Sequence, residues 1–259
     1  MYDTKYPLKS LLRRINHVLL KHVDYPAFLH GSLSGRDPVS NAQSHEGSSI
    51  LIAEDIAGFF DYIDADRVFS VWAGCLRFDE DSAELLTKLT TKDGYVCQGA
   101  PTSSYLANLA LWDIEGEVVR KLRDRGFRYS RYVDDIAVSS KSPTSQEDVE
   151  WVIAQLYAMM GSRGFKPKRS KHSIQTGSNR IDLMRFGINR TLTLSPQERS
   201  SIRAHLHAIE DMVDRGEVGD TVASSIRSVQ GRLGRLKKLH PMDAEALTLR
   251  LEALKSKLC

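Results

Sequence analysis

Arg131-Tyr132-Val133-Asp134-Asp135 sets two carboxylates side by side between the runs Phe127–Tyr132 and Ile136–Ser140, both rich in aromatic and β-branched residues. Such runs read as strands, so the acids belong at a hairpin tip. Adjacent carboxylates raise each other's pKa, and keeping both ionised near neutral pH calls for a cation shared with a third acid. A candidate stands at the end of Ser49-Ile50-Leu51-Ile52-Ala53-Glu54-Asp55, an apolar strand-like run finishing on carboxylates before Gly58-Phe59-Phe60. Asp55 and the Asp134-Asp135 pair could meet at the ends of adjacent strands. Oxygen-only ligands in that position suit Mg²⁺. Two such ions, about 3.5–4 Å apart, hold the attacking and leaving oxygens of an in-line phosphoryl displacement, which implies nucleotidyl transfer. Alone, an Asp-Asp pair in a turn is more often ordinary turn chemistry.

A third segment makes the pattern more specific. Gln98-Gly99-Ala100-Pro101-Thr102-Ser103-Ser104 is a loop that runs into an apolar helix from Leu106 through Trp112 to about Arg123, with Thr102 or Ser103 available to cap it. Gly99 lets backbone approach a ligand closely, and the Gln98 amide can meet a nucleotide and its template base. The order strand–Asp, Gln-Gly loop–helix, Asp-Asp hairpin is far more specific than any one part.

These segments, Asp55–Phe60, Gln98–Ser103 and Arg131–Asp135, resemble the palm motifs of reverse transcriptases, most closely the bacterial retron type. Asn41-Ala42-Gln43-Ser44-His45 looks like that type's Asn-Ala-x-x-His signature, and the resemblance covers about residues 7–240. It implies an α+β right-hand polymerase: an antiparallel palm sheet with packed helices, partial fingers and a C-terminal helical thumb. It further implies synthesis of DNA from dNTPs on a structured non-coding RNA, with a branched RNA-linked DNA product, in phage defence beside an effector or toxin protein.

By the same resemblance, Asp55 and Asp134 bridge two Mg²⁺ ions, Asp135 completes the metal site, and Phe60 lies under the sugar to exclude a 2′-hydroxyl. Gln98 and Gly99 hold the nucleotide, and Phe59 belongs to the core. Lys171 matches the lysine that reaches the leaving pyrophosphate, a role suited to a general acid, with Lys168 as competitor. Asn41, His45 and Arg131 are expected at nucleic acid, although His45 in chemical terms reads as a structural histidine. Ser228–Lys238 resembles the thumb helix that grips a minor groove, with Arg232 and Arg235 toward phosphates beside Gly231 and Gly234.

Two departures stand out. The basic fingers segment that precedes the match to Tyr6–Leu11 is not found, so weak nucleotide binding is expected. The family's Val-Thr-Gly triplet falls at Arg185-Phe186-Gly187, where only the glycine agrees. A defence-associated reverse transcriptase of another bacterial group, or a catalytically weak RNA-binding scaffold, therefore stays open.

At 259 residues and 41% hydrophobic, the chain can bury a substantial core. Its three cysteines, Cys75, Cys97 and Cys259, lack metal-ligand spacing and suit a reducing cytoplasm. No apolar run approaches the roughly 18–20 residues that span a bilayer, so no membrane is expected. The net charge of +3 hides a gradient: residues 1–119 carry 10 Lys/Arg against 17 Asp/Glu, and residues 120–190 carry 15 against 7. Template and primer phosphates belong on the basic part, which includes the Asp-Asp hairpin. Spacing predicts helices over 7–23, 66–76, 79–89, from Ser145, from Ser195 to about Val213, 220–239 and 243–258, with Asp66 and Asp79 as caps. The expected division is 1–48 fingers edge, 49–190 palm and 191–259 thumb.

Overall fold

The structure, a computed structural model, describes residues 4–217 and 219–258. Its contacts divide the chain into a unit ending at Ile181 and a unit of residues 182–259.

In the first unit, α1 (Leu8–Val18) buries Leu12 and Ile15 on one face of the predicted amphipathic period. The helix α2 (Pro38–Gln43) opens on a capping box: Ser40 N donates to Asp37 Oδ1 and Asp37 N donates to Ser40 Oγ. The sheet comprises β1 (Ile50–Asp55), β2 (Arg128–Tyr132), β3 (Asp135–Ser140) and β4 (Ser173–Thr176), in the order β2-β3-β1-β4 with every pairing antiparallel. Central strands are buried on both faces, which explains why β1 reads as the unbroken apolar run Ile50-Leu51-Ile52 rather than an alternation. Leu51, Ile52 and Val138 are fully buried, each contributing roughly 1.5–3 kcal/mol of transfer free energy.

The helices depart from the sequence reading at three points, the first being that α1, expected to reach residue 23, ends at Val18 and gives way to a 3-10 turn, Leu20–His22. The helix α3 (Ala65–Phe69) is capped by Asp64, whose side chain accepts from Arg67 N, so Asp66 falls inside the first turn; a π-helical stretch, Ser70–Cys75, follows. The expected cap Asp79 does open α4 (Glu80–Thr90). The single helix expected from Leu106 to Arg123 is two, α5 (Ser103–Leu109) and α6 (Glu115–Asp124), and α5 has no side-chain cap. The break has a local cause. Asn108 O, which Trp112 N would take in a continuous helix, accepts from Arg131 Nη2 at 2.8 Å, while Trp112 N turns back to Leu109 O. Ser145 caps α7 (Gln146–Gly161), which buries Val149, Val152, Leu156 and Met160.

Among the described residues, the second unit holds a small antiparallel sheet of β5 (Asp182–Leu183), β6 (Phe186–Gly187) and β7 (Thr193–Leu194) with the helices α8 (Pro196–Asp214), α9 (Asp220–Leu239) and α10 (Pro241–Leu258). Residues 182–190 thus lie with the helices rather than with the larger sheet. Ser195 accepts from Glu198 N to start α8, as its capping-box pattern predicts. Among the described residues, no helix is long and apolar enough to cross a membrane.

Candidate active site

The register of β1 and β3 places Asp55 directly opposite Asp135. Asp55 is buried, whereas Asp134 and Asp135 are half-buried at the rim. Asp134 sits with Val133 in the two-residue turn joining β2 to β3, and Ile56 N donates to Asp134 O at 3.0 Å. Val133 has φ +61°, a left-handed conformation that β-branched residues avoid. Such backbone costs on the order of 1–3 kcal/mol and persists only where its surroundings hold it.

On the other side of β1, Lys168 N donates to Asp55 O at 2.7 Å and Ala57 N donates to Lys166 O at 2.9 Å. These bonds seat the basic loop against the acids. Lys171 Nζ donates to Asp55 Oδ2 and stands 3.6 Å from Asp135 Oδ1, while its neighbour His172 pairs through Nδ1 with Glu54 Oε1 at 2.6 Å. Two consecutive residues of this loop therefore pair with two consecutive acids of β1. The Asp135 carboxyl is held above the usual carboxylate range, first by burial and then by the charges of Asp134 and Asp55, against the counter-pull of Lys171. The bond to Asp55, with the charges of Asp135, Asp55 and Asp134, raises the Lys171 ammonium above its ordinary value.

A cleft of about 570 Å³ opens over the acids, lined by Asp55, Phe60, Gln98, Gly99, Asp134 and Asp135 among others. Phe59 turns away into the core against Phe165, 5.1 Å between ring centroids, whereas Phe60 lines the cleft. Gly99 has φ +102°, which favours glycine, and Ser103 Oγ closes the loop by donating to Cys97 O at 2.6 Å. Asn16 of α1 donates through Nδ2 to Pro101 O, tying the first helix to this loop. Lys168 also lines the cleft, so both candidate lysines are near the acids in different ways.

Three expected nucleic-acid contacts are not on the surface. Arg131 is fully buried: its Nε and Nη2 pair with both oxygens of Glu115 at 2.6 and 2.8 Å. His45 is also fully buried, with Nδ1 and Nε2 each 2.7 Å from a serine hydroxyl, Ser139 and Ser130. Burial, reinforced by the charge of Arg128, lowers its pKa to about 3. Asn41 is 1% exposed. The assignment of these three residues to nucleic acid is therefore corrected: the Asn-Ala-x-x-His segment packs α2 onto β2 and β3. Arg128, which the motifs did not single out, completes that joint by donating to the carbonyls of Ser44, His45 and Glu46 and to Ser48 Oγ.

In the second unit, Arg232 is half-buried and donates to Ser201 Oγ at 2.9 Å and Glu198 Oε1 at 3.3 Å, while Arg235 is exposed on the same helix. Arg185-Phe186-Gly187 begins in the tight turn between β5 and β6, where Met184 and Arg185 have φ +51° and +72°. Positive φ at both central positions is the pattern of a type I′ hairpin turn.

Residues 5–188 match the family model described as reverse transcriptase (RNA-dependent DNA polymerase). Among curated proteins, the chain is 35% identical over 175 residues to the retron Se72 reverse transcriptase of Salmonella heidelberg (strain 579083-10), covering 68% of this chain and 46% of that one. It is 31% identical over 270 residues to the retron Ec48 reverse transcriptase of Escherichia coli, covering 98% and 66%. The chain thus spans about half to two thirds of the length of these relatives. Among solved structures, apo telomerase from Candida tropicalis shares the fold, with a TM-score of 0.53 at 10% identity over 96% of this chain and 49% of that one. A match over most of the chain, with all three acids grouped at one end of the sheet, places this protein in the reverse transcriptase family, among the retron-type members.

Proposed function

We propose that this chain synthesises DNA on an RNA template, transferring nucleotidyl groups from dNTPs to a primer terminus. The observation that carries the reading is the cross-strand pairing of Asp55 with Asp135, at the floor of a cleft that Gln98 and Gly99 flank. Asp55, Asp134 and Asp135 would hold two Mg²⁺ ions, which would activate the primer hydroxyl and offset charge on the phosphate and leaving group. The donor set fits: all ligands are carboxylates, and burial followed by the charges of Asp134 and Asp55 raises the Asp135 pKa. Among the described residues, no three acidic, histidine or cysteine side chains are gathered so as to hold a metal ion by themselves. Mg²⁺ does not need one, because it uses one or two carboxylates beside substrate phosphates and water.

The remaining steps belong to the chain's own side chains. Gln98 and the bare backbone of Gly99 support the incoming nucleotide, and Phe60 meets its sugar at C2′. Lys171 would supply a proton to the departing pyrophosphate once metal and substrate draw its ammonium away from Asp55. In the first unit the basic residues after Lys166 would meet nucleic-acid phosphates, and in the second unit exposed Arg235 would separately do so. Kinship to retron enzymes supports a structured RNA as template and a DNA product joined to it.

Primer extension on an RNA template with dNTPs and Mg²⁺ tests the activity. Incorporation by the wild type and none by Asp135→Asn is expected; equal, metal-independent incorporation by both would overturn the reading. Sequencing nucleic acid that co-purifies with the chain tests the template, and DNA joined to one defined RNA is the expected result.

A further inference from the structure

Behind the acids, Arg131 joins segments that are distant in sequence. Besides its two-point pair with Glu115 at the start of α6, its Nη2 donates to Asn108 O at 2.8 Å and its Nη1 to Val133 O at 2.9 Å. The first carbonyl belongs to α5, which follows the Gln98 loop; the second belongs to the turn that carries Asp134. Tyr129 closes the far side by donating its hydroxyl to Glu115 Oε1 at 2.6 Å. Asn108 also reaches out, with Nδ2 donating to Gly31 O at 2.7 Å. Gly31 in turn lies directly under the turn: a Cβ built on it would stand 2.4 Å from Val133 Cγ2 and 2.6 Å from Val133 N. Residues 28–30 run beside β2, with Arg131 N donating to Phe28 O and His30 N to Arg131 O, both at 2.9 Å.

We infer that Arg131 and Glu115 are positioning residues that fix the Asp134-Asp135 turn against α5, and so set the spacing between the acids and the Gln98–Gly99 loop. That spacing is the distance from the reacting phosphate to the base of the nucleotide, so the inference rests on the polymerase reading above. Stability does not account for the device, because a buried ion pair is often matched or bettered by apolar residues of similar volume. Its geometry does. A guanidinium offers donors in a fixed planar fork and satisfies a carboxylate and two divergent carbonyls at once, whereas an ammonium concentrates its charge at one point. Only an arginine of this reach couples α5, α6 and the strained Val133 turn through a single side chain.

The test compares wild type, Arg131→Lys and Gly31→Ala on a primed RNA template. Thermal unfolding and template–primer affinity are measured first, so that rates refer to folded, bound protein. Arg131→Lys keeps the charge opposite Glu115 and loses the fork. It is expected to bind template–primer as wild type does, with nucleotide KM little changed and kcat lowered about 10²-fold, the cost of an ångström-scale misplacement. Gly31→Ala touches neither Arg131 nor Glu115 but pushes on the same turn from below, so it is expected to give the same split of kcat from KM. The double variant is expected to be no worse than the weaker single variant, because residues acting as one unit are not additive. Wild-type kcat in folded Arg131→Lys, or losses that merely follow the folded fraction, would overturn the inference. If Arg131→Lys does not fold, Gly31→Ala decides alone, and a raised KM with normal kcat refutes the proposal. An inactive wild type would overturn the polymerase reading itself, and the positioning role with it.

Discussion

Asp55 and Asp135 face each other across β1 and β3, and Lys171 spans both carboxylates. One ammonium against Asp55, Asp134 and Asp135 leaves negative charge in excess, and burial together with the charges of Asp134 and Asp55 raises the Asp135 pKa. Changing Asp135 to Asn keeps its size and removes a charge that the fold tolerates poorly. Thermal stability in chelator is therefore expected to hold or rise, while primer extension falls by several orders of magnitude, because two-metal chemistry has no substitute ligand. Differential scanning of both proteins, with and without Mg²⁺, gives the check. A variant that melts earlier without metal would show that the charge is stabilising.

Phe60 lies five residues after Asp55 and lines the cleft, while Phe59 packs in the core. Phe60→Ala is expected to admit ribonucleotides while leaving much deoxynucleotide incorporation intact. The ratio of ribo- to deoxynucleotide kcat/KM measures it, and an unchanged ratio would reduce Phe60 to a packing residue.

The sequence shows the two strand ends and the Gln-Gly loop clearly because local signals define them: an apolar run stopped by acids, an aromatic-rich hairpin, a glycine before a helix. It shows less well what is decided by tertiary contacts. Arg131 reads as a surface cation in a basic stretch, yet its place two residues from Tyr129 on one strand face turns it inward, and its partner Glu115 lies 16 residues away on a helix. A second Arg131 bond, to Asn108 O, meets α5 at its end, so a helical period that continues through residues 110–114 is overridden by a carbonyl taken elsewhere. His45 was legible as a structural histidine, but its two serine partners lie 85 and 94 residues on, beyond any motif.

The burial of His45 makes stability depend on pH. Its folded pKa of about 3 lies below the ordinary 6.5, so the neutral ring is favoured by folding. That contribution is complete above pH 6.5 and is lost as pH falls toward 3, amounting to about 2 kcal/mol by pH 5. Chemical denaturation at pH 7 and pH 5 should show a larger loss for wild type than for His45→Gln, by roughly that amount. Other histidines contribute equally to both proteins, so equal losses would place the proton elsewhere.

Arg232 and Arg235 share α9 but differ in what holds them. Arg232 is committed to Ser201 and Glu198 of the neighbouring α8, whereas Arg235 is exposed with Gly231 and Gly234 open beside it. Arg235→Ala is expected to weaken template–primer binding at low salt and to reduce the slope of log affinity against log salt by about 1, the signature of one lost phosphate contact. Arg232→Ala removes bonds between helices instead, so it is expected to lower the melting temperature and leave the salt slope unchanged. Titrations at four salt concentrations with both variants separate the two roles. A steepened or unchanged slope for Arg235→Ala, with a reduced slope for Arg232→Ala, would reverse the assignment and put the half-buried arginine on the nucleic acid.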